Sequence, residues 1–299
     1  MSTALPDQSH DPTFRCSGAS RADGEALAGT APTERAFLLV EHAGAWGRQA
    51  VADSRLPAPV KQRLADLAGV RVMLVRRHGG ISGPGVRVFT VLVEPDRVSI
   101  ETTVLDDPEQ LLDLDTAALA EGRSPGLTPY DGGLLLVCTN GRRDLCCAEL
   151  GRPVTAALAA RWPEETWETT HLGGHRFSAT LVDLPSGVTL GRLDPESAVL
   201  AVEELRAGRH PVGFSRGRVG VGVAAQVAQL HVVEATGLDG LGDVVVVGEE
   251  DGVVRLTVDG APWQVGVVAR AGEPRRQSCA DLSVKATTVH EVVASGPTM

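Results

Sequence analysis

The chain has 299 residues, 43% of them hydrophobic and 22% charged, with a formal net charge of −10. Those proportions exclude a disordered, collagen-like or coiled-coil chain, and no apolar run approaches the ~18–20 residues that a membrane-spanning helix needs. The acidic balance argues against nucleic acid as the main partner, because an acidic surface repels phosphate.

At roughly 100–200 residues per domain, the length suggests two domains or three small ones. Met1–Phe14 has neither a cationic start nor an apolar core, so no signal peptide is predicted. A cytoplasmic location is the expectation. Five cysteines cannot all pair within one chain. In a reducing compartment such a set points to metal or redox chemistry before a disulfide framework. Aromatics are only 3%, so the core must be built from Val, Leu and Ala.

Residues 1–34 are rich in Ser, Ala, Gly, Asp and Pro and lack periodicity. They read as a mostly irregular arm containing Cys16. A first α/β unit follows over 35–127. Phe37–Val40 reads as a buried strand, and Pro57–Ala68 as a helix with proline near its start. Val70–Val75, Val88–Val93 and Val98–Val104 read as strands, and Pro108–Ala120 as a helix. The order then recurs over 128–213. Leu134–Val137 is a strand and Ala148–Arg161 a helix. Thr166–Thr170, Phe177–Val182 and Val188–Leu190 are strands, and Pro195–Ala207 is a helix. Both units read β-α-β-β-β-α.

They also share the ending Phe, strand, Pro-containing turn, strand, Leu-Asp, Pro-Glu, helix, Gly-Arg. Duplication is the simplest reading. The last stretch, 214–299, differs. Val219–Thr236 has helical spacing, and Val244–Val247, Val253–Val258, Val265–Ala269 and Leu282–Val293 read as strands separated by turn signals. This is a small α+β appendix in which no catalytic constellation is visible.

The chemistry concentrates at Cys138, Cys147, His171 and His175. His171 and His175 are four apart, as in helical zinc motifs. The two glycines between them each cost about 1 kcal/mol in a helix, and the Thr and Trp before them favour a strand. A strand followed by a tight glycine loop is therefore expected. Cys138 ends an apolar strand. Cys147 stands at a helix start, where the helix N-terminus favours a thiolate. Arg142, Arg143 and Asp144 between them make a polar, turn-prone loop. Two thiolates and two imidazoles can bind Zn²⁺ tetrahedrally or a [2Fe–2S] cluster. Spacing does not choose, although the C-x8-C loop is wide for a zinc finger.

At these residues, Cys138 and Cys147 in CTNGRRDLCCAELGRPV and His171 to His175 in HLGGHRFSATLV, the sequence resembles the sucrase/ferredoxin-like family. The match runs from about Phe37 to Gly213 and more loosely from Cys16. The resemblance implies an α/β fold of two thioredoxin-like halves, the first clusterless and the second carrying a [2Fe–2S] cluster. Cys138 and Cys147 would hold the iron that stays ferric, and His171 and His175 the reducible iron. His42 and His78 in the first half would be remnants or ordinary polar residues. The adjacent Cys146 is an alternative ligand in a C-x7-C register.

The implied function is an electron carrier or proton-coupled relay served by a flavin or ferredoxin-type reductase. Its acceptor could be a ferric chelate, a quinone or another protein. Structural zinc on the same ligands is the first alternative. A thioredoxin-like thiol enzyme using Cys146 or Cys147 is the second, against which the absence of C-x-x-C counts. A binding module on 214–299 is a third, with no ligand indicated. Cys279 could lie near Cys16, with a free thiol as its expected state.

Overall fold

The computed structural model describes residues 13–80, 83–94 and 97–298. The N-terminal stretch before Thr13 and the turn at Pro95, both covered by the sequence reading, lie outside the described residues. The fold is mixed α/β, with a ten-stranded sheet, a separate four-stranded antiparallel sheet and several helices. Among the described residues, no helix is long and apolar enough to cross a membrane.

The first unit begins with β1 (Ala36–Glu41), whose alternate residues face opposite sides and are all buried. Phe37 and Leu39 enter one core, while Ala36, Leu38 and Val40 enter another. This is why it reads as a continuous apolar run rather than an alternating one. Helix α2 (Ala58–Ala65) carries the chain back to β2 (Val70–Arg77), which lies parallel to β1. Strands β3 (Val86–Val93) and β4 (Val98–Leu105) then extend the sheet antiparallel on the other side of β1.

The second unit repeats this plan. Strands β6 (Leu134–Cys138) and β7 (Thr166–Thr169) are parallel across helix α4 (Leu145–Arg161). Strands β8 (Leu181–Leu184) and β9 (Val188–Leu190) follow antiparallel, and helix α5 (Pro195–Arg206) closes the unit. The spatial orders are β2-β1-β3-β4 and β7-β6-β8-β9. The two units join through β2 and β7, which pair antiparallel with Arg76 opposite Glu168 and Arg77 opposite Trp167. Arg76 bonds Glu168 at 2.7 Å, and the Arg77 guanidinium stacks 3.9 Å from the centre of the Trp167 ring. One core runs across this seam, from Phe37 and Phe89 through Trp167 to Leu134, Leu136 and Cys138.

Several elements differ from the sequence reading. The expected helix over Pro108–Ala120 is a 3-10 segment (Pro108–Asp113) followed by the short helix α3 (Thr116–Ala120). The break falls at Asp115, which caps the second piece, while Asp107 caps the start of the first. Asp115 accepts from the Ala118 N–H at 3.0 Å, a donor that a continuous helix would have satisfied with the carbonyl four residues back. The expected strand at Phe177–Val182 starts later, because His175–Phe177 forms a 3-10 turn. The arm contains helix α1 (Cys16–Ala22).

Two short strands, β5 (Thr128–Pro129) and β10 (Ser215–Arg218), carry no apolar alternation, yet they pair with β4 and β9 at the two edges of the large sheet. Helix α6 (Val223–Thr236) starts later than Val219, after Gly220 and Gly222. It packs on the small sheet of β11 (Val244–Glu250), β12 (Val253–Val258), β13 (Ala261–Arg276) and β14 (Val284–Pro297). The hairpin β13–β14 is long, and its tip at 277–283 reaches back to the second unit.

Candidate metal centre

The alternation along β6 puts Cys138 on the same side as Leu134 and Leu136, inside the core that crosses the seam. The chain then turns through Thr139–Asp144 into α4. Asp144 is the helix cap and accepts from the backbone N–H of Cys146 at 3.1 Å. Cys147 falls in the first helical turn and faces β6. Gly151, one turn further on the same face, allows close approach. A Cβ there would overlap the Cys138 carbonyl oxygen, with the carbonyl carbon at 3.2 Å. A glycine at this position is therefore what lets α4 lie against the Cys138 backbone.

On the neighbouring strand, β7 ends at Thr169, and the chain turns through His171, Leu172, Gly173 and Gly174. Gly173 and Gly174 have positive φ of 87° and 66°, a region open to glycine at no steric cost. A Cβ on Gly174 would also collide with the Arg216 guanidinium. The loop is thus the glycine turn expected from the sequence, and not a helix.

These elements bring three of the four predicted residues, Cys138, Cys147 and His171, into one donor group, with His175 beside His171 and outside that group. The ligand atoms of Cys138, Cys147 and His171 all lie within 4.8 Å of one another. The His171 and His175 rings are 5.1 Å apart, centre to centre. Cys138 and Cys147 are buried, while the histidines are partly accessible. Hydrogen bonding from Cys147, and then from His171, draws the Cys138 thiol well below its ordinary value in spite of complete burial. Burial lowers the His175 pKa, against the opposing charge of Asp144. Its imidazole is therefore neutral near pH 7, the form that binds metal.

Three buried imidazole nitrogens, Nδ1 of His171 and both nitrogens of His175, have no hydrogen-bond partner among the described residues. His175 Nε2 lies 3.7 Å from the Asp144 carboxylate. Buried polar atoms are nearly always satisfied, so unpartnered nitrogens beside two thiols suit metal ligation. The donor set suits zinc or iron.

Cys146 does not share this site. Successive helical residues point about 100° apart, and the Cys146 sulfur meets Cys16 and Cys279 instead, at 3.7 and 3.3 Å. Hydrogen bonds from those two thiols, and from Ser17, take Cys146 down to about 3 in spite of burial. All five cysteines are unpaired and buried. Among the described residues, two donor groups could hold a metal ion: Cys138 and Cys147 with the half-buried His171, and the buried Cys16, Asp144, Cys146 and Cys279. Cys279 lies near Cys16, as anticipated, but the 214–299 region now contributes to a donor cluster that its sequence did not suggest.

Sequence reasoning missed Arg216. This guanidinium is fully buried, donates to the Gly173 carbonyl at 3.1 Å and to Thr30 Oγ1 at 3.0 Å, and also bonds the Thr30 carbonyl. Burial pushes its pKa down to about 9, while the negative charge of Cys138 and Cys147 works the other way. It stays a cation at neutral pH, tying the histidine loop to the arm. Its only sequence signal was an arginine among small residues. In the first unit, His78 contacts Glu168 at 3.2 Å, an ordinary polar role. The backbone N–H of His42 donates to Val75 at the strand end.

A model of the family described as Sucrase/ferredoxin-like matches residues 27–217. No curated protein and no solved structure matches the chain.

Proposed function

We propose that this chain, which belongs to the sucrase/ferredoxin-like family, is an electron carrier whose 128–213 unit holds a [2Fe–2S] cluster through Cys138, Cys147, His171 and His175. The 35–127 unit, which contains no cysteine, is its clusterless counterpart. The observation that carries this reading is the pairing of two facing buried thiols with three unpartnered imidazole nitrogens.

When bound, such a cluster takes up and returns single electrons, and histidine ligation raises its potential toward the −150 to +300 mV of Rieske centres, against about −400 mV for all-cysteine plant-type ferredoxins. The residues supply the rest. Cys138 and Cys147 form the deep, water-excluded wall, at 1% and 0% exposure. The two histidines form the wall nearer solvent, where a redox partner would meet the site. Each imidazole has a second ring nitrogen that can gain or lose a proton, which makes a pH-dependent potential the expectation. Arg216 sets a buried positive charge near the thiolates. Unpaired cysteines throughout suit a reducing compartment, and the cytoplasm is the proposed location. The donor would be a flavin or ferredoxin-type reductase, and the acceptor a ferric chelate, a quinone or another protein.

Zinc on the same ligands is the second reading, favoured by the compactness of Cys138, Cys147 and His171. Ligand variants followed by visible spectroscopy and metal analysis separate the two. His171→Ala and His175→Ala should each bleach an iron-dependent absorption. A colourless wild-type protein that loses zinc in those variants would overturn the electron-carrier reading.

A further inference from the structure

The cluster on the other side of the first turn of α4 is built like a second metal site. Its sulfurs form a triangle, with Cys16 to Cys146 at 3.7 Å, Cys146 to Cys279 at 3.3 Å and Cys279 to Cys16 at 3.6 Å. Asp144 Oδ1 stands 3.4 Å from the Cys16 sulfur, and the four donor atoms all lie within 4.8 Å of one another. The edge length is informative. Tetrahedral Zn²⁺ with Zn–S bonds of about 2.3 Å places its sulfurs about 3.8 Å apart. A disulfide needs about 2.05 Å and uses only two of the three sulfurs.

The surroundings orient the donors. Asp144 Oδ2 accepts from the Cys279 N–H at 2.8 Å and from Ser278 Oγ at 2.9 Å, which leaves Oδ1 turned toward the sulfurs. Ser17 Oγ donates to the Cys146 sulfur at 3.1 Å, and the Cys16 N–H donates to the Cys279 sulfur at 3.4 Å. Outer hydrogen bonds of this kind fix the ligands of metal sites. A carboxylate that is 1% exposed among three thiols is otherwise a costly arrangement.

We propose that Cys16, Cys146, Cys279 and Asp144 bind one tetrahedral divalent cation of the zinc type, separate from the histidine-bearing site, and that this ion pins the N-terminal arm and the tip of the β13–β14 hairpin to α4. Binding releases the protons that the thiols still hold, leaving three thiolates and a carboxylate on a dication. The resulting negative charge faces the N-terminus of α4. Arg276 lies alongside, its guanidinium bonded to the carbonyls of Ser278 and Cys279 at 3.1 and 2.5 Å. No electron is transferred, so the role is structural. Asp144 touches both sites, because its Oδ2 lies 3.7 Å from His175 Nε2.

The test is zinc and iron analysis of the full chain with X-ray absorption at the zinc edge. The expected result is about one zinc per chain, with three sulfurs at about 2.3 Å and one oxygen at about 2.0–2.2 Å. Cys16→Ser and Cys279→Ser should each remove the zinc and leave iron and sulfide unchanged. A zinc shell containing imidazole nitrogen would overturn the proposal, as would wild-type protein with no stoichiometric divalent metal whose Cys16, Cys146 and Cys279 react as free thiols or form a disulfide. The edge measurement uses wild-type protein, so it stands even where a variant fails to fold. It also reads zinc independently of the iron result.

Discussion

Gly151→Ala should act against the usual sign of a glycine-to-alanine change inside a helix. By helix propensity alone, alanine gains roughly 0.5–1 kcal/mol over glycine. Here the added methyl would overlap the Cys138 carbonyl oxygen, with its carbon at 3.2 Å and Thr139 Cγ2 at 3.5 Å. Carbon contacts are comfortable at about 3.5–4.0 Å, so α4 must move off β6 by about 1 Å. Overpacking of this kind costs about 1–3 kcal/mol, so a net loss of about 1–2 kcal/mol is expected after the propensity gain.

The displacement is also local to the chemistry. Cys147 precedes Gly151 by one helical turn on the same face, and Cys138 ends the strand that α4 is pushed away from. Both sulfurs should therefore separate, and metal retention should fall. Urea unfolding gives the first effect, and metal content per folded chain gives the second. A variant as stable as the parent with undiminished metal would refute the close packing of α4 on the Cys138 backbone.

Three further outcomes follow from named contacts. His210 is buried, bonds Ser215 Oγ at 2.7 Å, and is pushed down to about 4 by desolvation. The unfolded chain binds a proton at that histidine below about 6.5 and the folded chain does not, so about 3 kcal/mol of stability is lost as pH falls from about 6.5 to about 4. His210→Gln should flatten that part of a urea-stability curve, and an unchanged slope would contradict the assignment. Arg216→Met should cost several kcal/mol, because it strands the Gly173 carbonyl and the Thr30 acceptors in the core. It should also loosen the histidine loop, seen as faster metal loss to a chelator; parent-like stability and chelation would refute this. Cys147→Ser should abolish visible absorption while Cys146→Ser leaves it in place, and the reverse pattern would exchange the two thiols between sites.

The strand carrying Cys138 was legible because five consecutive apolar residues leave few alternatives, and period-two alternation then fixes which side the thiol takes. The histidine loop was legible because two adjacent glycines oppose a helix. The doublet Cys146-Cys147 held more than was read from it. Neighbours on a helix diverge by about 100°, so two adjacent thiols at a helix start already imply two different surroundings. What could not be read was the partner of Cys146. Cys279 arrives at the tip of a hairpin of 16- and 14-residue strands, and its meeting with Cys16 spans nearly the whole chain. Strand β10 was hidden for a different reason. Ser-Arg-Gly-Arg has no apolar pattern, and its place in the sheet comes from backbone pairing with β9 and from the burial of Arg216. The single helix expected over 108–120 failed because Asp115, inside that span, caps a second piece.

The most direct test of the central claim is the visible spectrum of anaerobically purified protein before and after dithionite, with iron and acid-labile sulfide measured on the same sample. The expected result is a red-brown protein that bleaches on reduction and carries about two irons and two sulfides per chain. A colourless protein without sulfide would contradict it.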